Sequence, residues 1–480
     1  MKQFFSWLSS RKFSLGIFTF GILLLGKFLA PLFLFDVPLG YDPGIYRYLF
    51  LQYAESIRHF SLPELAPWAL EYPPGLFVLA APLLIAGLPV DVLIGWMWNL
   101  VPVLLACVLA WVMYKREGRA VGVCVLLIAL LSQAYFDGFF AMYYKVYVSL
   151  ILTVCTYHFA EKLSMWFIPC ALAAVMIHQQ TGLILTLALG IWWILSLKTR
   201  WKDPVFRKLS VALVVSAVIA LLWYLPQWER AIWSPLKSII LLRGDNAPAG
   251  AFPDASFYVR TMGIVLMLGI FGMIINLRKE RGSLWQLSVL VCAIFIIGKL
   301  VFYKRFYLQL DFFLMPFAAI ALVWIWKHAS TIWARAFLVL VLVVQAIVGL
   351  QSMKLRTPIF GASELSQIKA LAEVIEPDAA VIAMENISGM WLRGWLPSHA
   401  VGAPGLFDYP DWKYEDWEVF IDGSRSERRS LLGGLQGPVY FFLSPTFIYF
   451  YGDRAKLVIE DPCLTSVSDA PLLLSVCSKD

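Results

Sequence analysis

Apolar blocks, most of them near the roughly 20 residues that a helix needs to cross a hydrocarbon core, limit this chain before any motif is read. They fall near residues 13–35, 74–113, 120–136, 139–160, 165–178, 183–197, 209–226, 258–276, 284–302, 312–328 and 332–350. Helices are expected there, because lipid leaves backbone N–H and C=O groups no partner outside the chain. With 60% hydrophobic and 15% charged residues, the chain is expected to be an integral protein of the plasma or inner membrane. The net charge of +7 then reads as a bias between the two sides of the membrane, and nucleic acid is not expected as a partner. The first block is too long for a signal-peptide core and runs into "FLFDVPLG", so it reads as an uncleaved span.

The expected fold class is mainly α: a bundle of about 11 net crossings plus one broken or re-entrant segment, followed by a soluble α/β domain. The broken segment is 74–113, about 40 residues interrupted at Pro82, Gly87 and Pro89, a pattern tolerated where backbone packs in protein or lines a cavity. The transmembrane domain is placed at 1–350 and the soluble domain at 351–480. In the latter, "SELSQIKALAEVIE" has helical periodicity, while "AAVIAM", "GPVYFFL", "KLVIE" and "PLLLSVC" read as short strands. Cys463 and Cys477 flank a hairpin-like stretch and are in position to bridge in an oxidising compartment.

Lysine and arginine orient the spans. Six segments (1–12, 115–119, 161–164, 198–208, 278–281 and 327–335) carry 17 Lys and Arg against 4 acids. The alternate segments (36–72, 133–145, 227–260 and 299–311) carry 10 of each. The first set is expected to be cytoplasmic, together with the N-terminus. Asp42 and the C-terminal domain are then exoplasmic, or periplasmic in a two-membrane cell.

On that outer face the sequence gathers Asp36, Asp42, Glu71, Asp137, Lys145, His178, Lys304 and Arg305. Charge at a membrane boundary facing protein is a functional hypothesis by default, although any one of these residues taken alone also reads as a cap, a turn or an interface anchor. Lys304 and Arg305 stand out because they lie on the side that the charge bias disfavours.

An acid in the first outer loop ("YDPGIY"), a tyrosine- and proline-marked second span ("EYPPGLFVLAAPLL"), late basic residues ("VFYKRFYLQLD") and a C-terminal exterior domain together resemble the GT-C superfamily of membrane glycosyltransferases. Protein O-mannosyltransferases and lipid A aminoarabinose transferases belong to it. The resemblance implies a polyprenyl-phosphate-linked sugar donor, a glycan, lipid or protein acceptor bearing a hydroxyl, and transfer with inversion among membrane lipids. It implies Asp42 as the proton acceptor. Arg305, supported by Lys304, is implied for the phosphate, with Glu71, Asp137, Lys145 and His178 as further substrate contacts. A divalent metal such as Mg or Mn would fall to Asp42 and Glu71, although Asp42 stands alone where several members have an adjacent acidic pair. A transporter or flippase of a lipid-linked or small polar substrate is the rival reading; it calls for charges near the midplane and often for repeated halves.

Overall fold

The computed structural model describes residues 2–241, 249–405, 407, 409–469 and 472–476. The chain divides into two compact units. One comprises Met1–Pro31, Pro73–Leu76 and Trp96–Thr357; the other comprises Leu32–Tyr72, Phe77–Gly95 and Pro358–Asp480.

Among the described residues, seven helices are long and apolar enough to cross a membrane: Leu15–Leu34, Val90–Glu117, Gln179–Arg200, Pro204–Trp223, Ala255–Lys279, Tyr303–His328 and Ile332–Lys354. A bent pair, Arg119–Leu131 with Gln133–Phe140, makes an eighth if it is one span, and its halves meet at 59°. Phe167–Ile177 and Leu284–Ile297, expected as spans, are shorter apolar helices. The segment 74–113 is interrupted, but not where every proline stands. Pro82 lies inside helix Gly75–Ile85, and the chain turns at Gly87, whose φ of +95° suits a residue without a Cβ. Pro89 then precedes the next helix.

In the first unit, helix Ala255–Lys279 runs against helix Phe306–His328. Their backbones approach closely because Gly272 faces Phe317, where a Cβ would overlap the Phe317 carbonyl. Helix Tyr144–Glu161 packs on both Trp98–Glu117 and Phe167–Ile177, and its buried Tyr147 meets Trp98 edge-on at 5.4 Å.

The second unit is built on a five-stranded sheet of β1 (Ala380–Ala383), β2 (Ala400–Gly402), β3 (Val439–Phe442), β4 (Leu464–Asp469) and β5 (Leu472–Val476), in the order β2-β1-β3-β5-β4. β2, β1 and β3 are parallel, while β5 is antiparallel to both β3 and β4. The apolar run "AVIA" of β1 is buried throughout, as a parallel strand covered on both faces requires. Ile382, Phe420, Phe441, Phe447 and Leu474 form its core. Helix Ala362–Val374 stands where the periodicity placed one. The "KLVIE" strand is a correction: its first four residues belong to helix Asp453–Ile459 and Glu460 is that helix's C-cap. A five-residue apolar run does not by itself distinguish the two states. The hairpin between Cys463 and Cys477 is present as β4 and β5, whereas Cys477 lies outside the described residues.

Candidate functional site

The stretch "GYDPGIY" folds as its residues dictate. Gly40 takes a φ of +93°, a turn conformation open to glycine. Asp42 occupies the N-cap position of helix Pro43–Arg58, and Pro43 fills the first helical position, where its missing N–H costs nothing. The Asp42 carbonyl accepts from the Tyr46 N–H at 2.9 Å. Its side chain does not cap the helix and is partly exposed.

The helix that carries Asp42 is fixed within its own unit. A Cβ on Gly44 would overlap the Met390 carbonyl and lie 2.7 Å from the Trp391 Cα. Only glycine lets helix Asn386–Trp395 approach this closely. One turn on, Arg47 donates to the Gly394 carbonyl at 2.6 Å and to Asp91 Oδ1 at 3.1 Å, while the Arg393 guanidinium sits 4.1 Å from the Tyr48 ring centroid. Glu71 ends the short helix Pro67–Glu71, and its side chain lies outside the described residues.

In the first unit the second half of "YPPG" has a definite role. Gly75 packs on the end of helix Phe167–Ile177, where a Cβ would stand 2.5 Å from the Met176 carbonyl and 2.9 Å from the Ile177 nitrogen. The next residue is His178, which ends that helix and caps Gln179–Arg200. His178 Nδ1 accepts from the Thr181 N–H at 3.1 Å and lies 2.9 Å from Thr181 Oγ1. An acceptor Nδ1 assigns the ring proton of the neutral imidazole to Nε2, leaving a donor for a ligand.

The Lys145 ammonium and the Arg305 guanidinium both act electrostatically on the His178 ring. Lys145 and Arg305, each on a different element, thus lie within electrostatic range of His178. Gln180 extends the link by donating to the Phe302 carbonyl at 3.4 Å. Phe302 has a left-handed φ of +53°, a costly conformation outside glycine, and that turn leads into Lys304 and Arg305. The two then diverge. Lys304 Nζ pairs with Asp254 Oδ1 at 2.8 Å, so its charge is already answered. Arg305 Nε is buried and, among the described residues, forms no hydrogen bond. Gly250 leaves room for this side chain, since a Cβ there would lie 3.1 Å from Arg305 Cγ.

Asp137 belongs to another cluster of the same unit. It is 5% exposed. Gln133 Nε2 donates to its Oδ1 at 2.8 Å and Tyr258 Oη to its Oδ2 at 3.0 Å. Arg356 contributes Nε at 3.1 Å and an ion pair at 2.8 Å. The sequence reading missed Tyr258 and Arg356, because each meets Asp137 across more than a hundred residues. It also missed Asp311, although an acid in "FYLQLDFFLMPF" is a signal in its own right. Among the described residues no group of three or more His, Cys, Asp or Glu side chains is placed to hold a metal.

No protein-family model matches the chain, and no curated protein matches it in sequence. Among solved structures it is similar to the crystal structure of ArnT from Cupriavidus metallidurans in the apo state, with a TM-score of 0.57 over 96% of this chain and 97% of that one. At 13% identity the likeness shows the fold alone and leaves the chemistry to this chain's own residues.

Proposed function

We propose that this GT-C-fold protein is a membrane glycosyltransferase that moves a sugar from a polyprenyl-phosphate carrier to a hydroxyl on the exoplasmic face, with inversion. The observation that carries the reading is the Arg305 guanidinium, whose Nε is buried and unpartnered among the described residues and whose charge, like that of Lys145, lies within electrostatic range of His178. Two fixed cations and an imidazole N–H suit a phosphate whose charge grows as the glycosidic bond breaks, and guanidinium fits phosphate oxygens better than ammonium does.

In this reading the acceptor oxygen attacks the anomeric carbon as the bond from that carbon to the phosphate oxygen breaks. The electron pair leaves with the polyprenyl phosphate. The acceptor proton passes to Asp42, a partly exposed carboxylate at a helix start with Pro43 fixing the turn. Asp137 serves as a further substrate contact through the Gln133 and Tyr258 groups around it. Should a divalent metal take part, Asp42 and Glu71 are the acids that would hold it, and its charge would assist the phosphate.

Transport of a lipid-linked substrate remains a second reading because Lys27, Asp137 and Asp311 lie within helices of the membrane-spanning bundle, and such charges often mark pathways. One experiment separates the two. The purified protein is placed in vesicles with a mixed polyprenyl-phosphate-sugar pool and a crude envelope acceptor fraction, and free polyprenyl phosphate is measured. Release that depends on the acceptor and is lost in Arg305→Ala supports transfer. Movement of intact sugar lipid between leaflets without cleavage overturns it.

A further inference from the structure

The bend between Arg119–Leu131 and Gln133–Phe140 opens the backbone within an apolar stretch, where unsatisfied carbonyls are costly. Two ionisable side chains from distant helices meet it, and Ser132 is the residue they share. Lys27 Nζ donates to the Leu130 carbonyl at 2.8 Å and to the Ser132 carbonyl at 3.3 Å. From the other side Asp311 Oδ2 accepts from Ser132 Oγ at 2.6 Å. The same Ser132 Oγ accepts from the Tyr135 N–H at 3.0 Å and so caps the second half of the bent pair. Asp311 is 2% exposed, and its other oxygen, Oδ1, has no hydrogen-bond partner among the described residues.

This helix is short and carries Asp137. Beyond its cap it is held by the Tyr135 hydroxyl, which donates to the Pro102 carbonyl at 2.6 Å. Gly138 faces Leu308, where a Cβ would stand 2.6 Å from Cδ2. Lys27 Nζ also lies 5.2 Å from the Phe136 ring centroid. A lone lysine in the first span has no other evident reason to stand among apolar residues.

We propose that Lys27 and Asp311 are positioning residues that act as one clamp on Ser132, holding helix Gln133–Phe140 and thereby the Asp137 carboxylate in place. Neither reaches Asp137 by a hydrogen bond; they act through the backbone and cap at the bend. The clamp's link to sugar transfer rests on the function proposed above, but the clamp itself is testable without it.

Hydrogen–deuterium exchange is followed in the purified full-length protein in micelles, comparing peptides that cover 133–142 with peptides that cover 439–442. Ser132→Ala, which removes only the hydroxyl link and the cap, is expected to speed exchange in 133–142 by on the order of 10-fold, the size that loss of a cap carries, and to leave 439–442 unchanged. Lys27→Met and Asp311→Asn are expected to do the same. Their double variant should show less than the product of the two single effects, as groups that share a partner do. An unchanged 133–142 in Ser132→Ala and Lys27→Met, a rise of equal size in both peptides, or a double variant equal to the product would each overturn the clamp. Sugar transfer, where wild type shows it, should fall mainly in kcat for Ser132→Ala. Full transfer despite locally raised exchange would overturn the positioning role, whereas absence of transfer in wild type would defeat the function and leave the exchange result standing.

Discussion

Arg356 Nη2 lies 2.8 Å from Asp137 Oδ1, and this pair joins the residue just beyond the last span to the short helix that follows the bend. Arg356→Met would leave a buried carboxylate held only by Gln133 and Tyr258. Removing one partner of such a pair costs about 3 kcal/mol, so a marked fall in melting temperature in detergent is expected. Asp137→Asn with Arg356→Met, which removes both charges, should recover much of that loss. A double variant no more stable than Arg356→Met would show that the pair is not what holds this region.

Arg305→Lys keeps the charge but replaces a planar fork with a point donor. If Arg305 receives the leaving phosphate, transfer should drop by one to two orders of magnitude, as for loss of a transition-state contact of about 1.4 to 2.7 kcal/mol, while melting temperature stays near wild type. Equal rates for the two proteins would remove Arg305 from that role. Lys304→Ala is expected to matter less to transfer, since its partner is Asp254.

Gly44→Ala places a methyl group where the backbone of Met390 and Trp391 already stands. Neither helix can yield without moving its whole backbone, so a destabilisation of about 2–4 kcal/mol is expected, in the range of overpacking and beyond. Limited proteolysis of helix Asn386–Trp395 is the readout. Resistance equal to wild type would mean that this helix crossing adjusts freely.

Asp461 and Arg428 form a buried ion pair in the second unit. Burial opposes the Asp461 charge, but hydrogen bonds from Arg428 and from the Cys463 N–H, with the nearby guanidinium charge, outweigh it and hold the carboxyl below its ordinary value. A carboxyl lowered in the folded state adds stability above its unfolded pKa of about 3.9 and loses it as pH falls through the folded value. Unfolding of this unit should therefore be nearly independent of this group from pH 7 to about 5 and become easier below about pH 4. The stability gap between wild type and Asp461→Asn should narrow over that acid range. A gap that stays constant would deny the linkage.

Much of this was legible in the sequence, and the exceptions share a cause. Apolar block length revealed the helices, and alternation between Cys463 and Cys477 revealed the β4–β5 hairpin, because both are local patterns. "KLVIE" failed as a strand because five residues carry too little period to exclude a helix. His178, Lys145 and Arg305 could be named one by one from their places at span ends, but nothing local says that the two cations lie within electrostatic range of the imidazole. The partners of Asp137 lie at Tyr258 and Arg356, where sequence distance conceals the contact. The use of Gly44 as a close-packing surface appears only with helix Asn386–Trp395 beside it.

Asp42→Asn tests the transfer chemistry most directly. Asparagine preserves the shape and the turn preference ahead of Pro43 while removing the carboxylate proposed as the proton acceptor, so expression and melting temperature should match wild type. The rate of sugar transfer from a polyprenyl-phosphate donor pool, measured for both purified proteins under the same conditions, should fall by roughly 100- to 10,000-fold, the range for loss of a general base. A folded Asp42→Asn protein that transfers sugar at the wild-type rate would make Asp42 a turn residue alone and contradict the mechanism.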